Sequence, residues 1–466
     1  MTTARPTFRR LHQSILAAFC AVPALAMASE ADLMRRLDQL AAELQTVKAE
    51  LAATKQKTEA VERRQQTVAA APPAPAGSVA SAPLAAQATS PGATASTAPV
   101  ATTAVPVPVA AAEPRPAQTV IGGYGEVNYN RPTKNASAAQ ADVRRVVLGI
   151  AHRFDEKTKL VTEFEWEHAV TSATDRGEAA VEQAYIEREF DNGLRGRGGL
   201  FLMPAGLLNT NHEPTAFYGV ERNFVETAII PTTWREAGIG LSSTLENGLT
   251  WDLGLTTGFD LTKWDANSAD GRESPLGSIH QEGQLAKSRD LAVHGAVNWR
   301  GVPGLLLGGF VFSGKAGHGT ADFAGNSSRV SLWDLHARYT PGPWDLSALY
   351  ARGTISNAGG LNLISAGSPN PIPSSFSGWY TQAAYRLLQS GDYTFSPFVR
   401  YERFNTAMAF AGLPPGVDAA TGPTEKVVTV GANLRVGEGV VVKAEYQKFS
   451  EDSSRDRLNL GLGYAF

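Results

Sequence analysis

The sequence predicts an all-β protein: a 16-stranded antiparallel transmembrane β-barrel, preceded by a periplasmic α-helical coiled coil. Three observations carry that prediction. The C-terminal stretch alternates strictly, with Leu458, Leu460, Leu462, Tyr464 and Phe466 on one face and Asn459, Gly461, Gly463 and Ala465 on the other. That period of two marks a strand lying between two different solvents. From Thr119 onward about sixteen segments of strand length recur, long enough to cross a bilayer at a tilt. The connections between them alternate short and long along the whole chain.

Composition bounds the alternatives. The 466 residues carry a formal charge of −3, with 45 Gly and 27 Pro. After residue 28 no run of about 18 apolar residues occurs, which excludes helical spans. A barrel remains open, because alternating strands average to a polar composition. The near-neutral charge offers no footprint for nucleic acid.

Residues 1–28 read as a cleaved secretory signal: Arg5, Arg9 and Arg10, then a short apolar segment, then Ala26-Met27-Ala28. The single cysteine, Cys20, lies inside it, so the mature chain is expected to carry no thiol, as suits an oxidising periplasm. Residues 29–68 form a heptad segment. Leu33, Leu37, Leu40, Leu44, Val47 and Leu51 are spaced 4-3-4-3, and the pattern continues to Val68. With Leu37 at a, the pairs Glu43–Lys48, Glu50–Lys55 and Lys57–Glu62 match in opposite sign between g and the next e, which favours a parallel oligomer. Residues 69–116 are Ala, Pro, Ser, Thr and Val with almost no charge, an extended linker that cannot bury a core. Residues 117–466 are the barrel.

Within the barrel the short connections carry turn chemistry, as in Asp191-Asn192-Gly193, Glu246-Asn247-Gly248 and Pro341-Gly342-Pro343. The long ones, among them 204–236 and 261–289, all fall at the opposite end, the pattern of periplasmic turns and extracellular loops. An even strand number returns the C-terminus to the side where the linker enters. The faces agree. Phe164 and Trp166 oppose Glu163, Glu165 and Glu167; Trp333 and Leu335 oppose Asp334, His336 and Arg338. A charge facing lipid at mid-bilayer costs about 2–4 kcal/mol, so the charged series is assigned to the lumen.

The lumen then holds charge separated by strand. Glu163, Glu165, Glu167 and Glu187, with Glu189, make an acidic wall; Arg145, Arg153, Arg195 and Arg197 flank it; Arg338, Arg400, Arg435 and Lys443 form a looser basic side. A transverse field of this kind favours small polar solutes over apolar ones. Pro204–Gly238 is too apolar for a floppy loop, yet carries His212, Glu213, Glu221, Arg222, Glu226, Arg235 and Glu236. It is expected either to fold into the barrel as a constriction or to latch onto a neighbouring subunit.

Gly199-Leu-Phe-Leu-Met-Pro-Ala-Gly206, Asn211-His212-Glu213-Pro214, Phe217-Tyr218-Gly219 and Ile229-Ile-Pro-Thr-Thr-Trp234 resemble the phosphate-selective porin (O/P-type) family of outer-membrane channels. Gly122-Gly-Tyr-Gly-Glu126 and Val181-Glu-Gln-Ala-Tyr-Ile186 are similar too. The resemblance implies a sixteen-stranded trimeric porin for small solutes. Phosphate selectivity in that family rests on rows of lysine and arginine, and no dense basic ladder of that kind occurs in this sequence.

No nucleophile motif and no HxH or HExxH pair is present, and His212-Glu213 alone is a weak metal signal. Neither catalysis, metal nor cofactor is expected. The expected function is passive diffusion of small polar solutes or ions through a water-filled, loop-constricted porin in a Gram-negative outer membrane. The alternative is a structural anchor whose coiled coil contacts the cell wall, with little channel activity. Expected partners are outer-membrane lipid, two further copies in a homotrimer, and the barrel-assembly machinery, which would read the C-terminal strand and its aromatic end.

Overall fold

The computed structural model describes residues 118–172, 174–413 and 422–466. The expected signal, heptad segment and linker, with Leu33, Leu37, Leu40, Leu44, Val47 and Leu51, lie outside the described residues.

Sixteen strands form the wall: β1 (Gln118–Pro132), β2 (Gln140–Arg153), β3 (Thr158–Glu167), β4 (Ala179–Glu189), β5 (Leu194–Leu202), β6 (Arg235–Thr244), β7 (Leu249–Thr256) and β8 (Ala292–Trp299). They continue as β9 (Leu305–Lys315), β10 (Arg329–Tyr339), β11 (Trp344–Ser356), β12 (Pro373–Tyr385), β13 (Tyr393–Phe410), β14 (Glu425–Val436), β15 (Val440–Phe449) and β16 (Arg457–Ala465). A further segment, Leu388–Ser390, pairs only with β13, while β12 reaches β13 directly. Every strand pairs antiparallel with its sequence neighbours. β1 pairs with β2 on one side and with β16 on the other, Tyr129 opposite Leu460 and Tyr124 opposite Ala465, so the sheet closes and has no free edge. All sixteen segments expected from the sequence are present, displaced by a few residues at their ends.

The end-to-end asymmetry is also present. The tight connections 154–157, 190–193, 245–248, 300–304, 340–343 and 437–439 share one end. Gly193, Gly248, Gly304, Gly342 and Gly437 there have positive φ, as tight turns demand. The long connections share the other. Outward-facing positions are apolar and exposed, as at Val293, Val297, Leu335 and Leu460, while their inward neighbours His294, Asp334, His336 and Asn459 are buried.

Register shifts break the alternation at three pairs of strands, β12–β13 around Ser375 and two that re-aim charged residues. Between β1 and β2 the register shifts after Glu126–Arg145 to Val127–Val143, leaving Arg144 as the extra residue. Between β3 and β4 it shifts from Glu163–Gln183 to Phe164–Val181, leaving Glu182. A bulge re-aims a side chain without disturbing the strand beyond it. Strict alternation would turn Glu182 to the lipid beside Ile186 and Val181 to the lumen; instead Glu182 is fully buried on the inner side and Val181 takes the outward place.

The hydrophobic core sits inside the barrel. Met203, Val225, Ile229, Ile230 and Trp234 from the connection 203–234, with Phe259, Leu261, Leu276 and Ile279 from 257–291, pack on Phe310, Phe312, Leu332, Ile355 and Phe376 of the wall. Trp234 stacks on Phe259 at 5.2 Å and meets Phe312 edge-on at 4.9 Å. Sixteen strands enclose more space than their own side chains fill, and two loops take up part of it.

Candidate functional site

The connection 203–234 reaches wall strands on opposite sides of the barrel through their inward side chains, so it lies within the lumen. Its two ends are tied together first. Met203 N–H donates to Trp234 O at 2.9 Å, and the Asn209 amide donates to both Met203 O and Trp234 O while accepting from Trp234 N–H at 2.7 Å. A loop placed in the interior must find partners for its backbone. Here the wall supplies them with charged side chains. Asp334 accepts from Gly206 N–H at 2.9 Å, Glu402 from Phe224 N–H at 2.6 Å, and Glu445 from Val220 N–H at 3.0 Å. Lys443 donates to Gly219 O at 2.8 Å, and Arg435 donates to Thr215 O. Several of these groups were expected simply to line water.

The loop's own acid, Glu226, is buried at the centre of this arrangement. Its carboxylate accepts from Leu207 N–H (2.6 Å), Leu208 N–H (2.7 Å), the Asn223 amide (2.7 Å) and the Tyr380 hydroxyl (2.9 Å). Burial raises its pKa, against the pull of those hydrogen bonds. Gly206 has φ +64°, and a Cβ there would clash with the Glu226 carboxylate, so the turn that delivers the two leucine amides needs glycine. On the closing strand, a Cβ at Gly463 would meet Pro214 at 2.5 Å.

The remaining expected site residues fall into three groups. Arg145, Glu165, Arg400 and Lys443 are buried between wall and loop; Arg145 pairs with Glu126 at 2.9 Å and Arg400 with Glu402 at 2.8 Å. Glu187 pairs with Lys159 and Arg197 with Asp252, while Arg153 and Arg195 share this short-turn half of the wall and Glu167 lies near the long-loop rim. On the loop, His212 is buried, Glu213 is half-buried, and Glu221 accepts from Asn130 at 2.8 Å. Arg222 is pushed down to about 10 by burial and then by the nearby Arg145, and stays charged at neutral pH. Arg235 and Glu236 are the first residues of β6. Arg235 pairs with Glu282 of the next loop at 3.1 Å, and Glu236 is bonded to Trp234 and Thr257.

Two cavities flank the loop. One, about 300 Å³, lies toward the short turns, where Arg300, Arg338, Arg400 and Arg435 meet Asp345, Tyr218 and Asn211. The other, about 200 Å³, lies toward the long loops and is lined by Glu126, Arg144, Arg145, Glu167, Glu221 and Arg222. Periodicity missed Arg144 and Glu182, the two bulge residues. It also missed Glu402 and Glu445, whose partners are backbone groups far away in sequence. Glu163, Glu182 and His212 are the one set of metal-ligand type whose donor atoms converge among the described residues.

The sequence profile of a family described as phosphate-selective porin O and P matches residues 118–452. An uncharacterized protein of Aquifex aeolicus (strain VF5) is 29% identical over 345 residues, 72% of this chain and 77% of that protein. Among solved structures, Salmonella typhi OmpF in complex with daunomycin is similar at 13% identity with a TM-score of 0.52, covering 75% of this chain and 97% of that one. The anion-selective porin from Comamonas acidovorans covers 75% of this chain and 100% of its own at 12% identity, with a TM-score of 0.47.

Proposed function

This chain belongs to the phosphate-selective porin O and P family, outer-membrane channels rather than enzymes, and we propose that it passes small polar solutes or ions by passive diffusion through a barrel narrowed by residues 203–234. The observation that carries this reading is the loop's anchorage: wall carboxylates and cations hold its backbone inside the lumen, with a charge-lined cavity on each side. In the lower cavity, the one toward the short turns, Arg338 is paired with Asp345 and Arg400 with Glu402, and the charge of Arg300 and Arg435 favours anions among the solutes that reach it, since arginine keeps its charge and presents several donors. A field across a narrow, polar passage selects by charge and polarity without a tight binding site. The working unit is a homotrimer, with the heptad segment 29–68 adding a periplasmic oligomerisation contact.

Planar-bilayer recording of the purified protein tests the reading. Steady current steps are expected, with a zero-current potential in a salt gradient of the sign that anion preference gives. Deleting Ala216–Thr227 should raise single-channel conductance. A folded barrel that passes no current would refute the proposal, and unchanged conductance with weakened trimers would assign the loop to subunit contact instead.

A further inference from the structure

One cluster at the junction of loop and wall is left unexplained by the loop's anchorage. Glu163 on β3, Glu182 on β4 and His212 on the loop each offer a donor atom, and the three atoms lie within 4.8 Å of one another. The side chains of Glu182 and His212 are 0% and 4% exposed. Glu182 Oε1 and the neighbouring Glu165 Oε1 are buried with no hydrogen-bond partner. A buried carboxylate oxygen without a donor is costly, and the two nearby cations are engaged: Arg145 bonds Glu126 at 2.9 Å and stands 3.8 Å from Glu165, and Arg222 donates to Thr232, Thr233 and the His212 carbonyl. Negative charge is in excess here.

The histidine is set for a ligand. Its Nδ1 lies 2.9 Å from the carbonyl oxygen of Asn209, which can only accept, so the ring proton is on Nδ1. Nε2 then accepts from the Tyr124 hydroxyl at 2.6 Å, which also stands 3.2 Å from Glu182 Oε2, and lies 3.6 Å from that oxygen; an ion bound here takes the lone pair in place of the hydroxyl. Fixing one ring nitrogen on a backbone carbonyl so that the other faces a metal is how ligating histidines are held. Glu182 reaches this place only because it is the extra residue of the β3–β4 bulge.

We propose that Glu163, Glu182 and His212 bind one divalent cation of the zinc class, which clasps the folded-in loop to β3 and β4. An imidazole with two carboxylates suits Zn²⁺ and its transition-metal neighbours better than Mg²⁺ or Ca²⁺. Tetrahedral ligand atoms about 2.0–2.2 Å from such an ion stand ~3.3–3.6 Å apart; His212 Nε2 and Glu182 Oε2 already stand at 3.6 Å, and binding draws in Glu163, within 4.8 Å of the other two, by as much as ~1.5 Å. The site is independent of which solute the channel carries. Its ligands come from two strands and a loop, which is why no linear motif announces it.

The test titrates Zn²⁺ into the chelator-washed, full-length protein in detergent by calorimetry, with Co²⁺ absorption as a second readout. One saturable site per chain is expected, with visible Co²⁺ bands from nitrogen and oxygen ligation. Glu182→Gln and His212→Gln should each weaken binding on the order of 100-fold, since even outer-shell changes at such sites cost ~10–100-fold. His168→Gln, at the barrel rim, should leave it unchanged. Heat-modifiable gel mobility establishes that each variant barrel is folded, and Glu163→Gln, at the half-buried ligand, provides a second route if a buried change prevents folding. Absence of a saturable site and of Co²⁺ bands in the folded wild type would overturn the proposal in favour of carboxyls sharing a proton. Equal affinity in wild type and ligand variants would overturn it too.

Discussion

Replacing Glu226 with alanine removes the acceptor on which the folded-in loop converges. Four donors lose their partner: Leu207 N–H, Leu208 N–H, the Asn223 amide and the Tyr380 hydroxyl. A buried donor left unsatisfied costs about 1–3 kcal/mol. Asn223 and Tyr380 are buried and find no substitute, whereas Leu207 and Leu208 are half-buried and recover part of theirs from water. Removing a buried charge offsets some of the loss, leaving a net weakening of loop docking of about 3–5 kcal/mol. At ~1.4 kcal/mol per factor of ten, amide exchange in peptides covering 203–230 should accelerate on the order of 10²–10⁴-fold. The wall itself should stay protected, because its ladders are backbone to backbone. Hydrogen-exchange mass spectrometry in detergent reads both regions at once, and bilayer recordings should show noisier, larger steps. Exchange within about threefold of wild type in a folded barrel would refute the assignment of Glu226 as the loop's anchor.

Gly463→Val should force Pro214 away from the closing strand, at a cost of about 1–3 kcal/mol, and give either higher conductance or slower assembly by gel mobility. Trp234→Ala should cost about 3–5 kcal/mol by leaving a cavity against Phe259 and Phe312, read as earlier thermal loss of loop protection. Burial alone would raise the Asp260 carboxyl, but hydrogen bonds from Thr262 and Lys287 hold it below its ordinary value. Its contribution is therefore present above the ordinary carboxyl range and lost as pH falls through the depressed value, so the loop 257–291 should exchange faster in strong acid, and Asp260→Asn should flatten that dependence. Arg300→Glu, at the exposed edge of the lower cavity, should shift the zero-current potential toward cations, and an unmoved potential would place the ion path elsewhere.

The wall was legible in the sequence because two solvents enforce its alternation at nearly every position. Trp333 and Leu335 cannot exchange faces with Asp334 and His336 without placing charge in lipid. Loop lengths were legible too, since consecutive antiparallel strands send alternate connections to opposite ends. The interior was legible only in composition. Pro204–Gly238 announced that it needed burial, but not that Glu226 would turn inward to its own backbone, nor that Glu402, Glu445 and Lys443 would turn to the loop. Those pairings join residues more than 170 positions apart, and no local period encodes them. Glu182 was hidden more thoroughly, because a bulge shifts the phase of the pattern on which the face assignment depends.

The seam of the barrel touches the same loop from both sides. Tyr124 on the first strand bonds His212, while Gly461 and Gly463 on the last strand leave room only for Val220 and Pro214. The pairing of β16 with β1 thus fits around an object in the lumen, as a stave lies over a former. Loop and circumference therefore gauge one another: a wider barrel would lose these contacts at the seam, and a bulkier loop could not sit against the closing pair of strands.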